Sequence, residues 1–215
     1  VSAGTERLRA DAARNRARIL SAAAAVFVEM GPDAPLEEVV ARAGLGFGTL
    51  YRRFPDRAAL QRAVVIDVMT RLREIAEAAL ANPAPWPSSL ARYLHDALDL
   101  QIGIVVPMLL DRVDMNDPEI APLRGRDAAL VNQMIERAQA EGSLRPDVGF
   151  ADVSLLLIRL SRPLPGGFAP EMERELAHRH LQIVLDGLAG KAATPLPGPK
   201  LSLADLREQA AKRFS

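Results

Sequence analysis

Gly44-Leu45-Gly46-Phe47-Gly48-Thr49-Leu50-Tyr51-Arg52-Arg53-Phe54 reads as a tight turn followed by a short helix with an inner and an outer side. Leu50 and Phe54 stand four residues apart and share the inner side. Phe47, Gly48, Tyr51 and Arg52 fall outside, with Thr49 beside them. Such an exterior suits a DNA major groove: Gly48 lets the backbone come close, Thr49 and Tyr51 offer hydrogen bonds to phosphate or a base edge, and Arg52 and Arg53 supply cations. One helix earlier, Leu36, Val39, Val40 and Ala43 recur at the spacing of a single apolar helical face. Gly44 tolerates the left-handed backbone that stops that helix, and Leu45 anchors the turn. Pro55 closes the second helix, and Asp56 is a good N-cap for the next. Two short helices joined by a glycine turn, the second basic and polar outside, predict a helix-turn-helix.

The pattern extends upstream. Ile19-Leu20-Ser21-Ala22-Ala23, Phe27 and Gly31, taken with Gly48-Thr49-Leu50-Tyr51, Phe54 and Arg57, resemble the DNA-binding domain of the TetR family of bacterial transcriptional regulators. The resemblance covers roughly Arg14 to Val64, and several motifs in register are far more specific than a lone glycine pattern. The chain departs from the family pattern at three places. Gly46 stands where Ser or Thr is common, Val40 where a small Ala is usual, and Arg53 where a His is common. The resemblance, with the outward face, implies a DNA-contacting set of Arg14, Gly46, Phe47, Gly48, Thr49, Tyr51, Arg52, Arg53 and Arg57, the last reaching a phosphate from the first turn of the fourth helix.

With 215 residues and a formal net charge of zero, the chain as a whole carries no nucleic-acid signature, but charge must be counted locally. Through Val65 there are ten arginines against seven acidic residues, one basic group near the start of the first helix and one on the recognition helix, as phosphate clamping requires. The chain has no cysteine and no apolar run of membrane-spanning length. Its N-terminal stretch is polar and charged, unlike a signal peptide. A cytoplasmic protein without membrane association is expected.

The periodicity predicts an all-α chain. A polar arm to about Ala12 precedes a first helix, Ala13 to Met30, with Ile19, Leu20, Ala23, Val26, Phe27 and Met30 on one face. A long fourth helix runs from about Asp56 to Leu80. Asn82-Pro83-Ala84-Pro85-Trp86-Pro87 breaks the chain, and Ser88 starts a fifth helix to about Gln101. Pro107 sits inside the apolar run Ile102 to Leu110, where a kink or a short new helix is expected. Loops are expected at Asp117-Pro118 and Pro122, then a helix from Leu123 to Ala140. Glu141-Gly142-Ser143-Leu144-Arg145-Pro146-Asp147 resembles the connection before the last two helices of many TetR relatives. The helix near Val153 to Leu160 is apolar nearly all round, and one from Pro170 to Leu188 carries Met172, Leu176, Leu181, Val184, Leu185 and Leu188. Pro195-Leu196-Pro197-Gly198-Pro199 leads to a last helix, capped by Ser202, with Leu206, Ala210 and Phe214 on one side.

The expected domains are residues 1–55, an arm and DNA-binding head; 56–192, a larger C-terminal bundle; and 193–215, a linker and last helix. The resemblance implies that the C-terminal bundle binds a small-molecule effector and forms a homodimer through a four-helix interface. For that interface the expected residues are Val153, Leu156, Leu157, Leu160, Leu181, Val184 and Leu188. Expected effector contacts between the fourth and eighth helices are Tyr93, Gln101, Met108, Arg112, Met134 and Arg159.

Catalytic chemistry finds little support. His95, His178 and His180 are the three histidines, and the last two, two apart on a helix, face different ways, which disfavours a metal pair. The glycines from Gly44 to Gly48 follow a helix rather than a strand, so a dinucleotide loop is a poor reading. No cofactor or metal is expected. The resulting expectation is a ligand-responsive regulator, most often a repressor in this family, that binds an inverted-repeat operator in double-stranded DNA as a dimer. A nonspecific DNA binder without an effector and a helical ligand-binding protein or enzyme stand as the alternatives.

Overall fold

Ten helices account for most of the residues described in this computed structural model, which are 2–81, 88–164, 167–190 and 194–212. Asn82 to Pro87 and Phe214, where a chain break and an apolar contact are expected, lie outside the described residues. Among the described residues the sole β feature is an isolated bridge between Leu144 and Ala189. The helices gather into two compact units. One comprises 1–68 with 105–120, the other 69–104 with 121–215.

The first unit begins with α1 (Ser2–Met30). The arm expected before Ala13 is helical instead: Ala, Arg and Glu between Ser2 and Ala12 all favour a helix, and no proline interrupts them. Ile19, Leu20, Ala23, Val26 and Phe27 of α1 are at most 1% exposed, while Met30, expected on the same face, is exposed. Gly31 ends the helix at φ +89°. α2 (Leu36–Ala43) buries the four residues its periodicity selects. Its C-cap, Gly44, adopts φ 61°, ψ 41°, and the Leu45 N–H closes the end on the Val40 carbonyl at 3.0 Å, as a glycine cap should. α3 (Phe47–Arg53) follows, then α4 (Arg57–Ala81), whose first turn is capped by Asp56: its Oδ1 accepts the Ala59 N–H at 2.7 Å. α4 passes from the first unit into the second after Val68, so the division falls inside a helix rather than at residue 55.

α5 (Ser88–Asp99) and α6 (Ile102–Leu109) meet at Gln101, a non-glycine residue at φ 53°. Pro107 sits inside α6, late enough that a short helix survives it. α7 (Ile120–Ala140) starts two residues before Pro122, which is accommodated in the first turn where its missing N–H would have had no partner. In the second unit α8 (Phe150–Leu160) and α9 (Pro170–Gly187) pack on each other and on α5, and α10 (Leu203–Lys212) packs on α8. Asp152 reaches back to the Gly149 N–H at 2.7 Å to start α8. The Ser202 N–H and hydroxyl both donate to Asp205 at the start of α10, the hydroxyl in turn accepting the Asp205 N–H at 3.3 Å, so Ser202 caps it as expected.

The stretch from Glu141 to Asp147 is held by a buried arginine. Arg145, 8% exposed, donates through Nε and Nη2 to Asp147 at 2.6 and 2.9 Å and through Nη2 to the Thr194 carbonyl at 2.6 Å. Asp147 also accepts the Leu196 N–H. Its carboxyl is consequently held far below the usual carboxylate range.

Candidate nucleic-acid interface

The recognition helix α3 is fastened from below by Leu50 and Phe54, which are 1% and 6% exposed. Residues on its other side are open. Phe47 and Tyr51 are 39% and 49% exposed and stack with ring centroids 6.0 Å apart and planes 18° from parallel. Gly48 lies between them in sequence, and a Cβ built there would meet nothing within 4 Å. Gly46 and Arg52 are exposed, and Thr49 and Arg53 are half-buried. Two large aromatic faces standing in water one turn apart cost hydrophobic free energy unless something covers them. Beside two arginines, that cover has to tolerate cations.

The contacts among the helices around α3 are ionic as well as apolar. Arg42 of α2 donates both Nη atoms to the Glu29 carboxylate of α1 at 2.5 and 2.6 Å, and this hydrogen-bonded guanidinium lowers the Glu29 pKa. Arg16 lies 6.0 Å from the Phe54 ring centroid, over its face. Arg18 donates to the carbonyl of the turn residue Gly44 at 3.4 Å. Arg14 pairs with Asp11 one turn earlier in the same helix and remains largely exposed.

Arg57 behaves differently from the expectation. Its Nη1 donates to the Ala34 carbonyl at 2.6 Å and the Pro32 carbonyl at 3.3 Å, and buried Gln61 donates to the same Pro32 oxygen at 2.8 Å. The α1–α2 loop turns its carbonyls toward α4, and those acceptors draw the guanidinium inward. Arg57 therefore braces the head from within.

Two more arginines tie residues 110–120 to this unit. Arg62 binds Asp117 through Nε and Nη2, both at 2.8 Å, and Glu119 at 2.9 Å, which brings the Asp117 pKa down to about 2. Arg112 binds Asp33 at 3.0 and 2.6 Å. Arg112, expected among the effector contacts of the C-terminal bundle, thus belongs to the first unit and is committed to a bidentate pair.

Residues 19–64 match the bacterial regulatory proteins of the tetR family, and residues 88–190 match the C-terminal domain of SbtR-like transcriptional regulators. The HTH-type transcriptional repressor LfrR of Mycolicibacterium smegmatis is 30% identical over 128 residues, which are 60% of this chain and 67% of that protein. A TetR transcriptional regulator from Streptomyces coelicolor aligns with a TM-score of 0.61 and 31% identity over 82% of this chain and 99% of its own. This chain belongs to the TetR family. It is a DNA-binding transcriptional regulator and not an enzyme. LfrR has also been solved in complex with proflavine, and that structure aligns with the regulator at a TM-score of 0.62 and 26% identity, over 85% of this chain and 99% of that one. UidR of Escherichia coli, an HTH-type transcriptional regulator, is 27% identical over 165 residues, 73% of this chain and 82% of its own.

In the regulator's second unit the expected effector contacts scatter. Tyr93 is 4% exposed and Met134 is 3% exposed. Burial, with the Asp127 charge in support, raises the Tyr93 pKa. Gln101 is exposed at its turn and Arg159 is exposed on α8. Met108, half-buried on α6, falls in the first unit. Met134 lines a cavity of about 20 Å³ with Leu80, Leu90 and Ala138 and with the polar Ser89, Arg137 and Glu141, enough for one water molecule.

The residues expected at the dimer face divide similarly. Val153, Leu157, Leu181 and Leu188 are at most 8% exposed within the single chain. They are already used in packing α8 and α9 against the rest of their own unit. Leu156, Leu160 and Val184 are half-buried. The outer apolar positions are instead Leu155 on α8 and Met172 and Ile183 on α9, exposed by 38, 47 and 61%. A helix apolar nearly all round offers the sequence reader no means of telling its inner stripe from its outer one.

Asp127 is a buried carboxylate of the second unit. It occupies a place in an otherwise apolar stripe of α7, Leu123, Asp127, Val131, Met134 and Ala138, all of them at most 9% exposed. A carboxylate at a core register position was the available signal. Burial, with Glu77 adding to it and Arg73 opposing, pushes its pKa up to about 7.

Proposed function

We propose that the regulator is a repressor that binds an inverted-repeat operator as a two-fold dimer and is released from it by a small-molecule effector held in the C-terminal unit. The observation that carries this reading is the exposed Phe47–Tyr51 stack on α3, flanked by Gly48, Thr49, Arg52 and Arg53. It offers apolar contact, hydrogen bonds and cations on one narrow helix, which is what a major groove accepts. The relatives support the sign of the response, since LfrR is a transcriptional repressor. They support the effector as well, since LfrR has been solved in complex with proflavine.

Dimerisation rests on Leu155, Met172 and Ile183. Apolar side chains this exposed on two adjacent packed helices favour a second copy as their cover. A closed two-fold interface presents two equivalent reading heads, and each then meets an equivalent half-site about one helical turn, or a multiple, from the other. A mobility-shift assay on the DNA flanking the regulator's own gene, at fixed salt and with proflavine titrated in, tests the whole reading. Sequence-selective retardation that proflavine reverses is expected. Equal retardation of scrambled DNA would favour a nonspecific binder.

A further inference from the structure

Residues 191–215 lie beyond both regions matched by the family, and from Thr194 onward they are fastened to the start of α8. The Thr194 carbonyl accepts Nη2 of buried Arg145 at 2.6 Å, and the Leu196 N–H donates to Asp147 Oδ2 at 2.9 Å. Further on, the Leu201 carbonyl accepts the Ala151 N–H at 3.2 Å. That amide belongs to the first turn of α8, where the helix offers it no partner of its own. Lys200 Nζ donates to the Pro146 carbonyl at 3.3 Å. Beyond Ser202, α10 lies on α8.

The grip is on the backbone. Leu196 is 39% exposed, so the site takes its N–H and leaves much of its side chain in water. Pro195 and Pro197 flank it. Each ring fixes φ and carries no N–H, which leaves Leu196 the only donor among the three. A chain stiffened in this way loses little entropy on docking. Gly198, at φ 84°, then bends the segment, and the Lys200 stem runs over Gly149. A Cβ at Gly149 would meet Lys200 Cγ at 2.7 Å and the Leu201 carbonyl oxygen at 3.3 Å. Gly149 itself is at φ −128°, a conformation open to any residue. Space for the segment, rather than backbone freedom, is what calls for a glycine there.

We infer that Arg145, Asp147, Gly149 and Ala151 form a docking site for an extended Pro-x-Pro segment, occupied by this chain's own C-terminal segment, and that the docked segment holds α8 in the position its dimer face needs. The docking site goes beyond the reading above, and its link to the dimer rests on that reading. Two relations carry the link. Ala151 stands four residues before Leu155, one turn along the same side of α8, so the amide that the segment holds belongs to the turn leading into the outward apolar face. Departure of the segment also takes the Thr194 carbonyl from buried Arg145 and the Leu196 N–H from Asp147, leaving each with one hydrogen bond fewer. Docking and dimerisation therefore favour one arrangement of α8, and each strengthens the other by the same factor.

Gly149→Val in the full chain crowds the segment off, since the atoms nearest its Cβ are the segment's own. It should speed amide hydrogen exchange at Leu196 and Ala151 and raise the dimer dissociation constant by about tenfold, with the circular dichroism of the wild type kept. A chain ending at Ala193 should dimerise as weakly, and a synthetic peptide of residues 194–215 added to it should restore the tighter dimer. The same peptide N-methylated at Leu196, which cannot donate to Asp147, should neither bind nor restore. If the shortened chain fails to fold, Arg145→Gln in the full chain takes its place, with the same faster exchange at Leu196 expected. Wild-type exchange and dimerisation in Gly149→Val overturn the proposal, as does a peptide indifferent to N-methylation. A wild type that is monomeric at every concentration overturns the dimer reading and the link, while binding of the labelled peptide, followed by fluorescence anisotropy, still decides the docking site.

Discussion

Nδ1 of His95 on α5 and Nδ1 of His178 on α9 lie 2.7 Å apart, with the two rings stacked 4.9 Å between centroids. One nitrogen must donate and the other accept. The Nε2 of His178 faces the Asp99 carboxylate at 3.0 Å, which assigns it the proton there and leaves its Nδ1 to accept from His95. The Gln182 side chain also hydrogen-bonds His95, and Asp96 adds its charge. The pair holds while one Nδ1 is bare. A second proton would set two N–H groups against each other.

This relationship predicts an acid-sensitive α5–α9 contact. Burial, and secondarily the His178 charge, lower the His95 pKa, so below the unfolded value of about 6.5 the unfolded chain takes up a proton that the folded chain resists. The contribution is complete above about pH 6.5 and is lost as the pH falls through the lowered folded value. His95→Gln should therefore flatten the acid limb of stability between pH 7 and 5, as measured by urea unfolding. Comparing the two proteins cancels the opposite slope from Asp127. Parallel limbs would dismiss the shared proton.

On α3, Tyr51→Ala and Arg52→Ala should each weaken operator binding by about 1 to 3 kcal/mol with the fold intact, because both side chains are exposed. Arg52→Ala should also reduce the salt dependence of binding. Leu50→Ala, by contrast, removes a side chain 1% exposed and should cost about 2 to 5 kcal/mol of stability. Titrations at several salt concentrations, paired with thermal unfolding, separate the two classes.

Arg57→Ala should act through the fold. Loss of its hydrogen bonds to the Ala34 and Pro32 carbonyls should cost about 1 to 3 kcal/mol, with little change in the salt slope of DNA binding. A slope reduced by about one, with stability unchanged, would mean that the guanidinium swings out to a phosphate.

At the outer face of α8 and α9, Ile183→Glu and Leu155→Glu should abolish dimerisation while leaving each subunit folded, since both side chains are exposed in the single chain. Tight operator binding should go with it. Leu157→Glu should instead unfold the second unit, because Leu157 is 7% exposed within its own chain. Light scattering with circular dichroism on the same samples distinguishes these results. A wild type that is monomeric and still binds tightly would refute the dimer.

What the amino-acid sequence determined by itself is whatever depends on short-range order. The faces of α2 and α3, the glycine cap at Gly44, the Asp56 and Ser202 caps and the turn at Gly142, with φ 69°, all follow from residues within one or two turns of each other, where backbone sterics and the 3.6-residue period leave little choice. Only the tertiary structure decided the destinations of long flexible side chains and the inner face of a wholly apolar helix. Arg57 finds carbonyls 23 and 25 residues away, and Arg112 a carboxylate 79 away. An arginine stem of that reach serves a phosphate or a loop equally well until the acceptors around it are placed. The same holds for α8, where Leu155 and Leu157 are chemically identical. The packing of α5 and α9 against one side of the helix decided which of the two is buried and which is left for a partner.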